Sequence, residues 1–165
     1  MKAMISQNTH QKQISIIIPT LNEADNIQSA INSTKSSTNI EIIVVDGGSK
    51  DETLLIAKSL GAKIIVSPPG RANQMNMGAM VASGEILLFL HGDTRLPTNF
   101  EQMIRKTLAK PGIVAGAFAL QINSPHWGLR FVEFGVKWRC NLLQMPYGDQ
   151  AIFMTKDVFQ KVGNF

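Results

Sequence analysis

Short hydrophobic runs alternate with segments of helical periodicity along the first two thirds of the chain. Four short runs predict strands, the first two with the pattern of strands buried on both faces, and each precedes a predicted helix. This alternation predicts an α/β fold, a sandwich with helices on both faces of a mainly parallel sheet. The predicted strands are Ile14–Ile18, Ile40–Val45, Lys63–Val66 and Glu85–Leu90.

Capping and turn residues set the expected bounds of the four helices. The third helix, over 71–83, is rich in methionine and small residues, and Gly61 and Gly112 follow the second and fourth. The predicted caps are Asn22 for the first helix, Ser49 with Glu52 for the second and Thr98 with Glu101 for the fourth.

The pattern changes after Gly112. Residues 114–122 alternate in polarity and predict a half-buried strand, while 126–143 carry aromatic residues at helical spacing. A short strand over 151–154 and a helix from Lys156 are expected to follow.

We expect one structured domain, because 165 residues can bury a sizeable core but are few for two domains. The polar segment 1–13 is predicted to be a flexible arm, and 14–165 to form the domain.

Composition narrows the function only slightly. The 16 Lys and Arg residues exceed the 12 Asp and Glu residues by four, without a basic run that would indicate nucleic-acid binding. The single cysteine, Cys140, rules out an intramolecular disulfide. The first thirteen residues lack the apolar stretch of a secretory signal, so the cytoplasm is the expected location.

Polar residues collect after the predicted strands. Asn22 and Glu23 follow the first strand, Asp46 ends the second, and His91 and Asp93 follow the fourth. Ligands of parallel sheets bind at the carboxyl ends of the strands, so we expect one ligand site there. The alternative for Asp46 is a turn former before two glycines.

Common phosphate-binding motifs are absent after the first strand. Neither G-x-G-x-x-G nor G-x-x-x-x-G-K-S/T occurs there, which disfavours a dehydrogenase and a nucleoside triphosphatase. A sugar nucleotidyltransferase or a methyltransferase would need a glycine-rich loop where Pro-Thr-Leu-Asn-Glu stands over 19–23. A nucleotide-binding remnant without turnover stays open as an alternative.

Four segments carry a family resemblance. Ile16–Glu23 and Val44–Asp51 resemble the opening signatures of family 2 glycosyltransferases, whose fold is the Rossmann-like GT-A type. Gly70–Asn76 and Phe89–Pro97 resemble one bacterial branch of that family. The resemblance implies a nucleotide-diphosphate sugar as donor and a sugar or lipid-linked acceptor. It also implies that 14–97 is the nucleotide-binding half of the domain and 98–165 an incomplete acceptor half.

The resemblance also implies roles for individual residues. Asp46 would bind the uracil or ribose of the donor, and Arg71 would lie near the nucleotide or diphosphate. The full set of implied donor-binding residues is Pro19, Thr20, Asn22, Glu23, Asp46, Gly48, Arg71 and Asn76.

A divalent cation, Mn²⁺ or Mg²⁺, is implied as cofactor. Asp93 matches the metal-holding residue of the family's Asp-x-Asp motif and would also act in catalysis. His91 occupies the place of the first aspartate. Imidazole suits Mn²⁺ better than Mg²⁺, so His91 is either a second ligand or a hydrogen-bonding neighbour.

The catalytic base is less well defined. Family members carry an acidic pair after a Gly-Asp-Gln-like segment, and here Gly148-Asp149-Gln150 is followed by no such pair before Phe165. Asp149 is a candidate base, with a loop residue as the alternative. We therefore expect the chain to end before the catalytic apparatus is complete, and to bind a donor while transferring sugar poorly or not at all.

The aromatic segment 127–138 is the candidate contact surface. If this segment packs on the sheet, its aromatic residues belong to the hydrophobic core. Their helical spacing favours this interpretation. Left exposed, it would contact the inner face of a membrane, a lipid-linked acceptor or a second copy of the chain.

Overall fold

A computed structural model of the chain describes residues 12–35, 39–118 and 151–165. Six strands lie within these ranges: β1 (Ile14–Thr20), β2 (Ile40–Asp46), β3 (Lys63–Val66), β4 (Ile86–Phe89), β5 (Ala115–Ala117) and β6 (Ile152–Thr155). The helices are α1 (Ala24–Thr34), α2 (Thr53–Ser59), α3 (Arg71–Val81), α4 (Phe100–Leu108) and α5 (Lys156–Lys161).

One sheet holds all six strands in the order β3-β2-β1-β4-β6-β5. β1 pairs in parallel with β2 and β4, and β2 with β3. β6 runs antiparallel to both β4 and β5. The prediction of a mainly parallel sheet is confirmed, and its four parallel strands are the four predicted from the sequence.

Hydrophobic clusters on both faces of the sheet make this a three-layer sandwich. Alternate residues of β1 supply the two clusters, because successive strand side chains point to opposite faces. Ile16 packs in the cluster that includes Ile27 of α1 and Ile104 of α4. Ile17 packs in the other, with Ala79 of α3 and Phe159 of α5.

Helix α3 approaches the sheet closely at Gly78. A Cβ atom placed there would lie 2.4 Å from Cγ2 of Ile17 and 3.0 Å from Cγ2 of Val45. Only a residue without a side chain fits this contact, so the small residues noted in the sequence have a packing role. The consequence is that the first turn of α3 reaches the carboxyl ends of β1 and β2.

The capping predictions were wrong, although the helices themselves are confirmed. α1 begins after Glu23, α2 after Glu52 and α4 after Asn99. Asn22, Ser49 and Thr98 are therefore not the N-cap residues. For Asn22 and Ser49 the reason is tertiary: their side chains bond to each other's loops.

α4 packs on the core through Phe100 and Ile104, which are fully buried, whereas Met103 is 48% exposed. Of the strand predicted over 114–122, the structure describes β5, Ala115–Ala117, which pairs with β6. Residues 119–150 lie outside the described ranges. The predicted helix over 126–143, Cys140 and Asp149 fall there, and most of the arm over 1–13 is likewise outside.

No helix in the described part of the chain is long and apolar enough to cross a membrane.

Candidate functional site

The candidate site lies where the strand order reverses. From β1 the chain proceeds to β2 and β3 on one side, while β4 lies on the other side of β1. In open α/β sheets the crevice outside the carboxyl ends of the strands at such a switch point is where ligands bind. The loops after β1, β2 and β4 all leave the sheet at this edge.

Hydrogen bonds join the loops after β1 and β2. The backbone N–H of Asn22 donates to Oγ of Ser49 at 2.9 Å, and the backbone N–H of Lys50 donates to Oδ1 of Asn22 at 2.8 Å. Asn22 has a φ of 56°, in the left-handed region that asparagine tolerates better than most residues. The two signature segments therefore form one structure.

The start of α1 is held by the loop after β2. The backbone N–H of Glu23 donates to Oγ1 of Thr53 at 2.8 Å, and that of Ala24 donates to Oδ2 of Asp51 at 3.1 Å. The hydroxyl of Thr53, more than any other group, lowers the pKa of Asp51, and the backbone N–H of Ala24 adds to the effect. Asp51 is therefore ionised at neutral pH, as an acceptor at a helix N-terminus should be.

Asp46 is buried and turned into its own loop. The residue as a whole is only 1% exposed. Oδ2 accepts the backbone N–H groups of Gly48 at 2.9 Å and Ser49 at 2.8 Å, and the Ser49 hydroxyl donates to Oδ1. Gly48 has a φ of 101°, a conformation that favours glycine. The turn-forming interpretation of Asp46 thus describes its contacts, and its binding of a base or ribose stays a prediction.

Gln74 is a member of this site that the sequence did not reveal. It is 5% exposed, and its Nε2 donates to the carbonyl oxygens of Thr20 and Val45, both at 2.8 Å. Thr20 itself is 2% exposed, and its hydroxyl donates to the carbonyl oxygen of Val45 and to Oδ1 of Asp46, each at 3.5 Å. A signal was present, because Gln74 and Gly78 lie one helical turn apart on the same face of α3.

The loop after β4 lies against the start of α1. A Cβ atom on Gly92 would be 3.0 Å from Cγ and 3.4 Å from Cδ of Glu23. Glu23 thus lies beside the His91–Asp93 turn, in which the backbone N–H of Thr94 donates to the carbonyl oxygen of His91 at 3.1 Å. The structure brings these predicted residues of β1 and β4 together.

A divalent cation would find one carboxylate and one imidazole in this turn. Asp93 is exposed, and its Oδ1 accepts the Thr94 hydroxyl at 3.1 Å, which leaves Oδ2 for a cation. Within the described ranges, no group of three or more His, Cys, Asp or Glu residues is arranged to hold a metal. Mg²⁺-type sites usually combine one or two carboxylates with substrate phosphates and water, so Asp93 fits such a role only together with a ligand.

Arg71 and Asn76, both on α3, differ in position. Arg71 is exposed in the first turn of the helix, three residues before Gln74, and so lies near the same edge. Asn76 donates through Nδ2 to the carbonyl oxygen of Phe165 at 2.9 Å and accepts its backbone N–H at 3.0 Å. Both polar atoms of Asn76 are thus engaged by the backbone of Phe165, whose ring packs on Phe89 at the carboxyl end of β4.

The comparison with protein families decides the assignment. The sequence model described as "Glycosyl transferase family 2" matches residues 15–157. The chain belongs to glycosyltransferase family 2.

Relatives of this family 2 chain are longer proteins. A "PGL/p-HBAD biosynthesis glycosyltransferase" of Mycobacterium bovis is 31% identical over 167 aligned positions, covering 92% of this chain and 62% of the relative. An uncharacterised glycosyltransferase of Rickettsia typhi is 41% identical over 106 positions, covering 61% and 33%. The chain therefore spans between one third and just under two thirds of the curated relatives it matches.

Solved structures confirm the GT-A fold expected from the resemblance. The mannosyltransferase PcManGT of Pyrobaculum calidifontis, in complex with GDP-Man and Mn²⁺, matches with a TM-score of 0.71 at 19% identity, covering 95% of this chain and 48% of that one. Glucosyl-3-phosphoglycerate synthase of Mycobacterium tuberculosis, with Mn²⁺, UDP and glucosyl-3-phosphoglycerate, matches with a TM-score of 0.65 at 19% identity, covering 91% and 59%. At this identity the likeness concerns the fold alone.

Proposed function

We propose that this chain provides the donor-binding part of a glycosyltransferase that uses a nucleotide-diphosphate sugar. The observation that carries the proposal is the joining of three loops at the switch point of the sheet. Asn22 and Ser49 connect the loops after β1 and β2, and Glu23 and Gly92 connect the loops after β1 and β4. The mannosyltransferase and the synthase named above, which share the fold, were solved with GDP-Man and UDP.

The charges at this edge suit a diphosphate. Arg71 and Lys50 are exposed and basic, and a guanidinium can bind phosphate oxygens in a bidentate manner. Asp93 is proposed to hold the divalent cation, with His91 as its second ligand or as a hydrogen-bonding neighbour. When bound, such a cation would offset the charge that builds on the leaving diphosphate.

The proposed reaction is an inverting transfer. The acceptor hydroxyl attacks the anomeric carbon, the bond from that carbon to the diphosphate oxygen breaks, and the hydroxyl proton passes to a carboxylate. Asp149 is proposed as that base. The acceptor is proposed to be a sugar or a lipid-linked hydroxyl.

Asp93→Asn provides the first test of the cation site. We expect Mn²⁺ to tighten the binding of UDP or GDP to the wild-type chain by about tenfold, equivalent to about 1.4 kcal/mol. Asp93→Asn should lose this increment but keep the metal-independent part. Calorimetric titration of each nucleotide with and without Mn²⁺ measures both quantities.

The matched control is Asp157→Asn, which removes an exposed carboxylate in the first turn of α5. It should bind like the wild-type chain with Mn²⁺ and without it. An equal effect of Mn²⁺ on the wild-type chain and on Asp93→Asn would rule out Asp93 as the cation ligand.

A further inference from the structure

We propose that Gln74 is a positioning residue of the donor site, an inference that rests on the proposed function. Its side-chain amide connects the ends of β1 and β2 to the first turn of α3. Two segments predicted to bind the donor, around Asp46 and Arg71, are thereby fixed relative to each other by one buried side chain.

The geometry of the Gln74 amide is unambiguous. Its NH₂ group faces two carbonyl oxygens, those of Thr20 and Val45, each 2.8 Å away. Carbonyl oxygens only accept hydrogen bonds, so both N–H donors of the amide are used. The two carbonyls belong to adjacent strands, in which Thr20 pairs with Asp46 and Pro19 with Val45.

The backbone around Asp46 depends on these contacts. The carbonyl oxygen of Thr20 also accepts the backbone N–H of Gly47 at 2.9 Å. A Cβ atom on Gly47 would lie 3.2 Å from Nε2 of Gln74, so the loop backbone packs directly on the amide. Loss of the amide would free the first residues of the loop that Asp46 organises.

Gln74 also belongs to the helical turn that carries Arg71. The backbone N–H of Gln74 donates to the carbonyl oxygen of Gly70 at 3.0 Å, which forms the first helical turn above the sheet edge. Gly70 has a φ of 129°, so the chain enters the helix through a conformation that L side chains rarely adopt. One turn later Gly78 keeps α3 close enough to the sheet for Gln74 to reach both carbonyls.

Gln74→Met tests the inference, because methionine fills the space but cannot donate to the carbonyls. We expect the dissociation constant for UDP or GDP to rise about fivefold to tenfold, at a temperature where circular dichroism shows the variant folded. Hydrogen exchange of the Gly47 and Ser49 amides should become faster in the absence of nucleotide. A purely structural role would lower the denaturation midpoint without changing the affinity of the folded protein.

Ala79→Gly is the matched control on the same helix. It removes a buried side chain and lowers helix propensity but leaves Gln74 in place. It should lower the denaturation midpoint while leaving nucleotide affinity and the exchange of Gly47 unchanged. Equal affinity and equal Gly47 exchange in Gln74→Met and the wild-type chain would overturn the proposal.

Gly47→Ala approaches the same contact from the other side, and serves if Gln74→Met does not fold. The φ of Gly47 is not in the left-handed region, so alanine is allowed, but its Cβ would press on the amide of Gln74. Faster exchange at Ser49 and weaker nucleotide binding are expected, and no change in either would count against the proposal. If the wild-type chain bound neither nucleotide, the proposed function would fail, and amide exchange would still decide whether Gln74 holds this edge.

Discussion

Replacing Asp46 by alanine should lower the free energy of unfolding by about 3 kcal/mol. The carboxylate accepts two backbone N–H groups and the Ser49 hydroxyl from a position that is 1% exposed. Hydrogen bonds to a charged acceptor contribute more than neutral ones, and alanine would leave the N–H groups of Gly48 and Ser49 without that acceptor. Urea denaturation measures the change.

Two variants sharpen this prediction. Asp46→Asn keeps the shape and one acceptor oxygen, and should cost about 1 kcal/mol. Asp93→Ala removes an exposed aspartate from the loop after β4, and should stay within about 0.5 kcal/mol of the wild-type chain. A loss below 1 kcal/mol for Asp46→Ala would show that the carboxylate does not organise the loop.

Gly78→Val should be as damaging, with a loss of about 3 kcal/mol. The first carbon of the new side chain would already lie 2.4 Å from Cγ2 of Ile17, which is fully buried in the centre of the sheet. α3 would have to move away from β1 and β2, and overpacking of this kind is not recovered by the better helix propensity of valine. Thermal or urea denaturation gives the magnitude.

Met80→Val is the control for Gly78→Val, because it places the same residue on the exposed side of the same helix. Met80 is 68% exposed. The control should change the unfolding free energy by less than about 0.5 kcal/mol. Similar losses for both variants would mean that β-branching in α3, rather than contact with Ile17, explains the effect.

The strands and helices could be predicted because their signals are local. β1 is an almost uninterrupted apolar run and the second half of β2 is buried, while α1 buries Ile27, Ala30, Ile31 and Thr34 at helical spacing. The antiparallel pairing of β6 with β4 has no such local signal. This pairing depends on the tertiary arrangement, in which the outer edge of β4 is available to residues 152–155.

The caps could not be predicted because tertiary partners outcompete local ones. Ser49 and Glu52 have the spacing of a capping box, yet the Ser49 hydroxyl bonds to Asp46 and accepts from Asn22. The start of α1 is completed by Asp51 and Thr53, which are 27 and 30 residues further along the chain than their partners. Sequence spacing carries no information about such contacts.

Part of the site was predictable for a different reason. The ends of parallel strands meet at one edge, so Asn22, Asp46 and Asp93 could be assigned to it from the strand pattern alone. Asn76 was placed there because the loop after the third strand leads to it; its amide binds the backbone of Phe165, and its role in donor binding stays a prediction. Gln74 was missed because its burial depends on the close approach of α3 to the sheet at Gly78, one helical turn further along.

Amide chemical-shift mapping by NMR is the most direct test of the central claim, that the switch-point edge binds a nucleotide. UDP and GDP would each be titrated, with Mg²⁺ as a diamagnetic cation, into the labelled chain. We expect the largest shifts at Asn22, Gly47, Ser49, Arg71 and Asp93. Shifts concentrated instead around the groove of about 290 Å³ between α3 and α5, at Met80, Lys156 and Gln160, would contradict the claim. So would the absence of shifts with either nucleotide.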